Sequence, residues 1–375
     1  MNIKALNIIL LHLSISAFTF GQNDWSKIIK ENTTPKAFAE AYWGIDVFNT
    51  NTNLRPDFLY NHKRLNEVGL NSVILGADFD YRRVRSSISF IAGNYATYNI
   101  IEPPGLNQIY EANFGYKLLK YQELWLDIGV MESNLGFESV IGTSNRTMTR
   151  GLLAESSPYY LNAAKLGYTS HNEKWHLELL ASNGWQRMTS GQTSFGHTIQ
   201  YHPNEKWTIN SSSFIGDVRV QIDYPWLQYP AYTLNERIFH NFFVKRETDR
   251  TSLVLGADFG RDRTSNNKIV NWEAYVVQFS YGFTEKISAT LRGEYFSDPN
   301  EVISIYPGYS TLDVLGASFN LDLQLHDLIQ LRLEARYLRN RESSIGIFPF
   351  PDPYMNVPME FLLIGTSISI DLWNH

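Results

Sequence analysis

The chain has 375 residues, a formal net charge of −6 and a mean hydropathy of −0.26. This charge balance gives no basic footprint for nucleic acid, so a nucleic-acid partner is not expected. The complete absence of cysteine excludes disulfides, thiolate metal sites and a lipid anchor on cysteine. Beyond residues 1–21 no apolar stretch approaches the roughly 18 residues of a membrane-spanning helix, so such helices are excluded.

Residues 1–21 have the organisation of a secretory signal peptide. Lys4 supplies the positive start, residues 8–18 form a short apolar segment, and small residues end at Gly21. We therefore predict cleavage before Gln22. Residues 22–36 are polar and are interpreted as a periplasmic lead-in, and residues 37–375 as the folded domain.

The folded domain is predicted to consist of strands in which apolar and polar residues alternate. In residues 329–337 the odd positions are apolar and the even positions read Gln, Arg, Glu and Arg. Successive side chains of a strand point to opposite faces, so one face is apolar and the other charged. Sixteen such strands are predicted, at Ala37–Phe48, Glu67–Tyr81, Val84–Tyr95, Ile109–Leu118, Leu124–Met131, Tyr160–Thr169, Trp175–Ser182, Phe195–Tyr201, Trp207–Ile215, Arg237–Val244, Ser252–Phe259, Trp272–Phe283, Ile287–Phe296, Leu312–Leu323, Ile329–Leu338 and Met359–Leu372.

The connections between these strands are of two alternating kinds. Seven are short turns, such as Arg82-Arg83, and eight are mostly long and carry nearly all the prolines; Gly260–Asn271 is among the eight. A single alternating strand by itself favours a soluble sandwich or barrel, in which the polar face contacts bulk water. Short turns on one rim and long loops on the other are instead typical of bacterial outer-membrane barrels. We therefore predict an all-β protein, a closed antiparallel transmembrane barrel of about 16 strands.

Two of the short turns repeat the sequence Asn-Glu-Lys-Trp, at residues 172–175 and 204–207. Further aromatic residues, Tyr168, Tyr201 and Tyr281, fall on the apolar face beside the same class of turn. Amphipathic rings at headgroup depth form such girdles, so this rim is predicted to lie at the periplasmic interface.

Several segments resemble the putative β-barrel porin-2 proteins of Bacteroidetes outer membranes. The resemblance covers nearly the whole mature chain and is densest in the central block. It is carried by residues 55–62, 109–112, 124–127, 135–139, 149–150, 157–160, 183–186, 214–216 and 292–295. The resemblance implies an outer-membrane barrel that passes small solutes, and it brings no catalytic or binding residues with it.

No sequence signature of catalysis, cofactor binding or metal binding is present, and the nine histidines are scattered. The function that the resemblance implies, and for which a barrel of about sixteen strands leaves room, is that of a non-enzymatic channel for passive diffusion of small hydrophilic solutes across the outer membrane. Two alternatives stay open. One is a scaffold or adhesin whose outer loops bind a partner or glycan, and the other is an outer-membrane hydrolase.

Charged residues on the predicted polar faces are the candidates for the channel lining. Neither sign dominates among them, so strong anion or cation selectivity is not expected. The candidate lining residues are Asp127, Lys165, Arg292, Glu294, Arg332, Glu334 and Arg336.

The longest connection, Glu132–Tyr159, is too apolar for a loop exposed to water. It is expected either to fold into the lumen or to pack over the rim. If it folds inward, Glu138, Arg150 and Glu155 are the candidate residues of a constriction. The expected partners of the chain are outer-membrane lipid, the transported solutes and the barrel-assembly machinery, and a homo-oligomer is left open.

Overall fold

The computed structural model describes residues 25–100, 102–189, 192–218, 234–264, 267–300, 302–303, 312–341 and 360–373. The predicted signal peptide at residues 1–21 lies outside these ranges. Among the described residues no helix has both the length and the apolar character needed to cross a membrane.

Within the described residues the regular structure consists of sixteen strands, three short α-helices and two single-turn 3₁₀ helices. The helices are α1 (Trp25–Glu31), α2 (Asn94–Asn99) and α3 (Leu152–Glu155). The strands are β1 (Thr33–Asp46), β2 (Gly69–Tyr81), β3 (Val84–Ala92), β4 (Ile109–Lys117), β5 (Glu123–Glu132), β6 (Tyr160–Thr169), β7 (Trp175–Ser182), β8 (Ser194–Tyr201), β9 (Trp207–Gly216), β10 (Leu234–Glu247), β11 (Thr251–Thr264), β12 (Ile269–Gly282), β13 (Ile287–Asp298), β14 (Leu312–His326), β15 (Ile329–Asn340) and β16 (Glu360–Asp371).

These strands form one closed antiparallel barrel in sequence order, with β1 paired to both β2 and β16. The closing pair runs from Phe38 opposite Asp371 to Asp46 opposite Leu363. Closure gives each strand two neighbours, so no strand edge presents unpaired backbone groups to lipid. The predicted fold class and the predicted number of strands are confirmed.

The outer face of the barrel is apolar and its inner face is rich in polar side chains. On β15, Leu333 is 43% exposed on the outside, whereas its neighbours Arg332 and Glu334 are each 2% exposed and point inward. At the short-turn rim Trp175 stacks on Tyr201 with ring centroids 4.4 Å apart, and Arg246 lies over the ring of Trp207. These outward rings lie where the girdle is predicted.

Several strand boundaries differ from the prediction by three residues or more. The outer connection predicted at Gly260–Asn271 is reduced to residues 265–268, because β11 and β12 continue their pairing as far as Arg263 opposite Ile269. The polar residues there mark strands that extend beyond the apolar band. At the N-terminal side of the barrel, β1 begins at Thr33 and thus lies partly inside the predicted lead-in. The lead-in also contains α1.

The lumen is not uniformly polar, which differs from the expectation of a wet interior. Its outer half contains a buried cluster formed by lumen-facing side chains of β9, β10 and β12 to β16 together with loop residues, and a second cluster lies against β1 to β4. Phe239 stacks on Trp272, and Trp185 packs edge-on against Phe239. Alternation alone could not show that this part of the lumen is apolar. Several strands here carry apolar residues on both faces, so the pattern does not separate the lumen side from the lipid side.

The assignment of faces predicts unequal effects for two neighbouring arginine substitutions. Leu333→Arg places a charge on the lipid-facing side and is expected to cost about 2–4 kcal/mol near the bilayer midplane. Gln330→Arg, on the lumen side, is expected to cost much less. Folding yield into liposomes and urea titration of both variants measure the difference, and equal losses would show that the faces are misassigned.

Candidate functional site: a central loop folded onto a charged wall

The connection between β5 and β6, residues 133–159 and here called L3, lies inside the barrel. Near its start Asn134 donates to Glu178 on β7 at 2.7 Å. Near its tip Thr143 donates to Asp371 at the end of β16, and Arg146 pairs with Glu247 on β10 at 2.9 Å. L3 therefore crosses the lumen and reaches towards the short-turn rim. Of the two expectations for this segment, inward folding is the one observed.

Charged side chains of β13 and β15 face L3 and form what we call the charged wall, which consists of Arg292, Glu294, Arg332, Glu334 and Arg336. The alternation along each strand places these residues on the same side, and the strand pairing brings the two strands within reach of one another. All five are no more than 5% exposed. Charges so deeply buried must be paired and hydrogen-bonded, and L3 supplies many of the partners.

The arginines of the charged wall bind backbone carbonyls of L3. Arg332 donates to the carbonyl oxygens of Gly142 at 2.6 Å, Asn145 at 2.5 Å and Thr147 at 3.1 Å. Arg292 donates to the Thr149 carbonyl at 2.8 Å, and Arg336 to the Arg150 carbonyl at 2.9 Å. A guanidinium group carries five N–H donors, which allows a single side chain to hold several carbonyls of an irregular loop.

The acidic residues of the charged wall accept the complementary N–H groups. Glu334 accepts from the backbone N–H of Thr149, and Glu294 from that of Leu152, both at 2.7 Å. Glu294 also pairs with Arg336 at 2.7 Å, and Arg292 with Glu334 at 3.1 Å. Backbone groups that would otherwise be unpaired in a buried loop are thus satisfied by the wall.

The three predicted constriction residues all lie within this buried contact region, but they have different partners. Glu138 lies 3.7 Å from Arg292 and accepts the backbone N–H of Gly151 at 2.7 Å. Burial raises the pKa of the Glu138 carboxyl, and the charges of Arg292 and Arg150 oppose this rise. Arg150 lies over the ring of Tyr159 and donates to Tyr95 of α2 at 2.8 Å.

Glu155 points towards the first outer connection rather than towards the charged wall. Its carboxylate accepts the backbone N–H of Tyr60 at 3.0 Å and the hydroxyl of Tyr159 at 2.7 Å. L3 is therefore held from a second side by residues 47–68, here called L1.

The seven predicted lining residues separate into two groups. The five of the charged wall lie beneath L3. Asp127 on β5 and Lys165 on β6 lie across the barrel from them, six to eight strands round the ring. Asp127 accepts from Nε and Nη2 of Arg85 at 2.7 and 2.6 Å, and Lys165 pairs with Glu178 at 2.9 Å. The side chains of Arg85 and Lys165 are 41% and 22% exposed, so this opposite wall retains contact with solvent.

A buried polar group on β1 and β2 was not identified from the sequence. Glu40 accepts from the side chain of Asn71 at 2.7 Å and lies 3.1 Å from Nε2 of His62 in L1. Its carboxylate also lies close to Gly142 at the tip of L3. L1 and L3 therefore meet at Glu40. The alternation of β1 indicated that Glu40 faces inward, but nothing in the sequence linked it to residues of two different loops.

A polar cavity of about 280 Å³ opens between the tip of L3 and the short-turn rim. Arg332 and Asp322 of the barrel line it, together with Asn145 and Arg146 of L3 and polar residues of the turns, including Lys286. Basic and acidic groups are mixed along the cavity, so it carries no strong excess of either charge.

The contacts of Arg332 predict that this residue holds the tip of L3. Arg332→Met keeps most of the side-chain volume but removes three hydrogen bonds from a charged donor, each worth about 1.5–3 kcal/mol. We expect trypsin to cleave the folded barrel after Arg146 at least about tenfold faster, since tenfold corresponds to about 1.4 kcal/mol. Arg85→Met, which breaks an ion pair on the opposite wall, is the matched control. Equal protection of L3 in both variants would contradict the assignment.

Comparison with known proteins agrees with this architecture. A family model described as putative beta-barrel porin-2, OmpL-like, matches residues 32–363. No curated protein matches the sequence.

Solved structures with a similar fold are outer-membrane proteins. OprB of Pseudomonas putida, in a structure determined at high pH, aligns with a TM-score of 0.58 at 10% identity over 93% of this chain and 97% of its own. OmpT of Vibrio cholerae, in a structure described as its trimer form, aligns with a TM-score of 0.56 at 9% identity over 91% and 99%. The anion-selective porin of Comamonas acidovorans aligns with a TM-score of 0.54 at 8% identity over 91% and 99%. At these identities the likeness concerns the fold alone.

The family match extends over most of the chain, from the first residues of β1 into β16. Together with the closed barrel and its apolar outer face, it identifies an outer-membrane protein with a porin-like barrel. The chain belongs to the putative beta-barrel porin-2, OmpL-like, family.

Proposed function

We propose that this protein is a channel for passive diffusion of small hydrophilic solutes across the outer membrane, with L3 as the element that sets its width. The observation that carries the proposal is the attachment of L3 to the charged wall through hydrogen bonds to both its carbonyls and its N–H groups. A loop fixed in this way narrows the lumen to a defined cross-section, as inward loops do in barrels of this size.

The solute path of this proposal runs between L3 and the opposite wall of β3 to β7. Arg85, Asp127, Lys165 and Glu178 supply polar groups along that wall, and two of these side chains are substantially exposed. Towards the periplasm the path opens into the polar cavity under the tip of L3. Polar side chains of both signs can replace part of the hydration shell of a small solute.

The mixture of charges argues against strong selectivity by sign. Arg85 is paired with Asp127, and Lys165 with Glu178, so each of these four charges has a neutralising neighbour. The proposed substrates are therefore small polar molecules and ions of either charge. A channel of this kind needs no catalytic residue, cofactor or metal.

The export and assembly of the chain complete the proposal. Residues 1–21 would direct export, residues 22–32 would lead into the barrel from the periplasm, and the barrel-assembly machinery would insert the strands from β1 onwards. The even number of strands is consistent with this route, because it leaves both ends of the barrel on the short-turn side.

Deletion of Ser139–Thr149 tests whether L3 sets the channel width. The flanking residues lie close together, since the Arg150 guanidinium donates to the Glu138 carbonyl at 3.2 Å and the Gly151 N–H to the Glu138 carboxylate at 2.7 Å. A linker of about two glycines is therefore expected to rejoin them. We expect single-channel conductance in planar bilayers to rise severalfold, because the segment that crosses the lumen is gone while every strand pair remains.

A second variant shows whether the conductance depends on the contacts of L3 with the charged wall or only on the volume that L3 occupies in the lumen. Replacing Ser139–Thr149 by a Gly/Ser segment of equal length keeps the mass in the lumen but removes its anchors, and noisy current of intermediate amplitude is expected. Heat-modifiable mobility on gels verifies the barrel in each variant. Unchanged conductance in a correctly folded deletion variant would rule out L3 as the constriction, and the absence of any conductance in all forms would refute the channel itself.

A further inference from the structure

One sector of the short-turn rim carries a set of cations that lie over tyrosine rings. We call it the basic rim sector, and it consists of the turns after β2 and β4, residues 82–83 and 118–122, with the tyrosines beside them. Three cation–ring pairs occur in it: Cζ of Arg82 lies 4.7 Å from the ring centre of Tyr81, Cζ of Arg83 4.7 Å from that of Tyr116, and Nζ of Lys120 5.1 Å from that of Tyr121. Such pairs hold a cation in place by electrostatic attraction to the ring face.

The tyrosines place these cations at the boundary between lipid and water. Tyr116 is 45% exposed and continues the lipid-facing row of β4 that contains Phe114. Tyr121, in the turn after β4, is 85% exposed. Tyrosine prefers the headgroup layer, because its ring is apolar and its hydroxyl group remains in contact with water. A cation held over such a ring therefore lies at the depth of the lipid phosphate groups.

The charge of the basic rim sector is not balanced by acidic residues. Its two turns contain Arg82, Arg83 and Lys120 but no carboxylate, whereas every other short turn with a cation also contains an acidic residue. These other turns are residues 170–174, 202–206, 248–250 and 283–286. Arg83 joins the two turns of the sector by donating to the carbonyls of Lys117 at 2.8 Å and Leu118 at 2.7 Å. Among the described residues, Arg82 and Lys120 pair with no carboxylate, so their N–H groups are available to an anion from outside the chain.

The helix α1 adjoins the basic rim sector. The Asn32 carbonyl, just after the helix, accepts the backbone N–H of Asp80 at 3.0 Å, two residues before Arg82. No residue of α1 is buried, and Trp25 and Ile29 are 53% and 54% exposed. A helix of seven residues is marginal in water without a surface to pack on. We therefore expect α1 to rest on a surface that the barrel itself does not supply.

The two sides of α1 indicate what that surface is. Successive residues of a helix are turned by about 100°, which places Trp25, Ile28 and Ile29 on one side. The charged residues of the helix, two lysines and a glutamate, lie on the opposite side. A helix with one apolar and one charged side lies in the plane of a membrane surface, with its tryptophan at the depth of the headgroups.

We propose that the basic rim sector and α1 together bind anionic phospholipid in the periplasmic leaflet of the outer membrane. Arg82 and Lys120 bind the phosphate of the headgroup, and α1 adds a net charge of +1 from its two lysines and one glutamate. The apolar side of α1 and the exposed Leu118 and Leu119 contact the upper part of the acyl chains. Anionic lipid is favoured over zwitterionic lipid, because the cations of this sector lie at the membrane surface without acidic neighbours in their turns.

Two matched double variants test whether the lipid is recognised at this sector. Arg82→Gln/Lys120→Gln removes the unpaired cations and keeps every ring, whereas Lys174→Gln/Lys206→Gln removes the same charge from turns in which a glutamate precedes each lysine. Native mass spectrometry in detergent with equal amounts of phosphatidylglycerol and phosphatidylcholine measures which lipid is retained. We expect the wild type and the Lys174→Gln/Lys206→Gln control to retain phosphatidylglycerol at least about tenfold better. The Arg82→Gln/Lys120→Gln variant is expected to retain the two lipids equally.

A fluorescent label tests the placement of α1. The chain has no cysteine, so Ile29→Cys and Glu31→Cys each carry a single dye, on the apolar and on the charged side of the helix. The labelled proteins are inserted into vesicles of phosphatidylcholine and phosphatidylglycerol that include a lipid with a nitroxide near the top of its acyl chain. We expect the nitroxide to quench the dye severalfold more strongly at position 29 than at position 31.

Three results would overturn the proposal. The first is a wild-type protein that retains both lipids equally or retains neither. The second is an equal loss of the preference for phosphatidylglycerol in the two double variants, which would assign the preference to total charge. The third is equal quenching at positions 29 and 31, which would place α1 away from the membrane. None of these measurements depends on conductance, so the channel function and the lipid site are tested separately.

Discussion

The structure depends on the requirement that every backbone hydrogen bond be made inside the chain wherever lipid surrounds it. The pairing of β1 with β16 meets this requirement for the barrel wall. The same requirement applies a second time inside the lumen, where L3 is buried without regular secondary structure over most of its length. Its N–H and carbonyl groups cannot pair with a neighbouring strand, so the charged wall provides side-chain partners instead.

The pairing of the L3 backbone with side chains explains why charges are concentrated on β13 and β15. Arginine and glutamate reach several ångströms from the sheet and can follow the irregular path of a loop, which a backbone ladder cannot do. They also pair with each other, so the wall contains few uncompensated charges even where it is completely buried. Charged residues of a barrel interior thus serve to fix a loop in one position as well as to contact water.

The sequence was sufficient for those features that depend on local periodicity. The alternation in residues 329–337 determined the two faces of β15, and the alternation of turn and loop lengths gave the number of strands and the orientation of the barrel. What could not be predicted depends on which distant side chains meet. Arg332 was recognised as facing inward, but its contacts with the carbonyls of L3 join residues separated by 185 to 190 positions. The apolar outer half of the lumen was missed for a related reason, since a residue such as Phe239 has the same local pattern whether its neighbour is lipid or another loop.

The position of the charged wall near the end of the chain has a consequence for the order of assembly. L3 is synthesised after β5, yet its partners on β13 and β15 lie 142 to 190 residues later in the sequence. Until those strands arrive, the backbone groups of L3 that bind the charged wall lack these partners, and contacts between residues so distant in the sequence carry an entropic cost of closure. The interior can therefore become ordered only when the last strands are in place. Closure of the barrel wall and attachment of L3 to the charged wall therefore occur together, late in assembly. A chain that stops before β15 would lack both the strands that close the barrel and the side chains that hold L3.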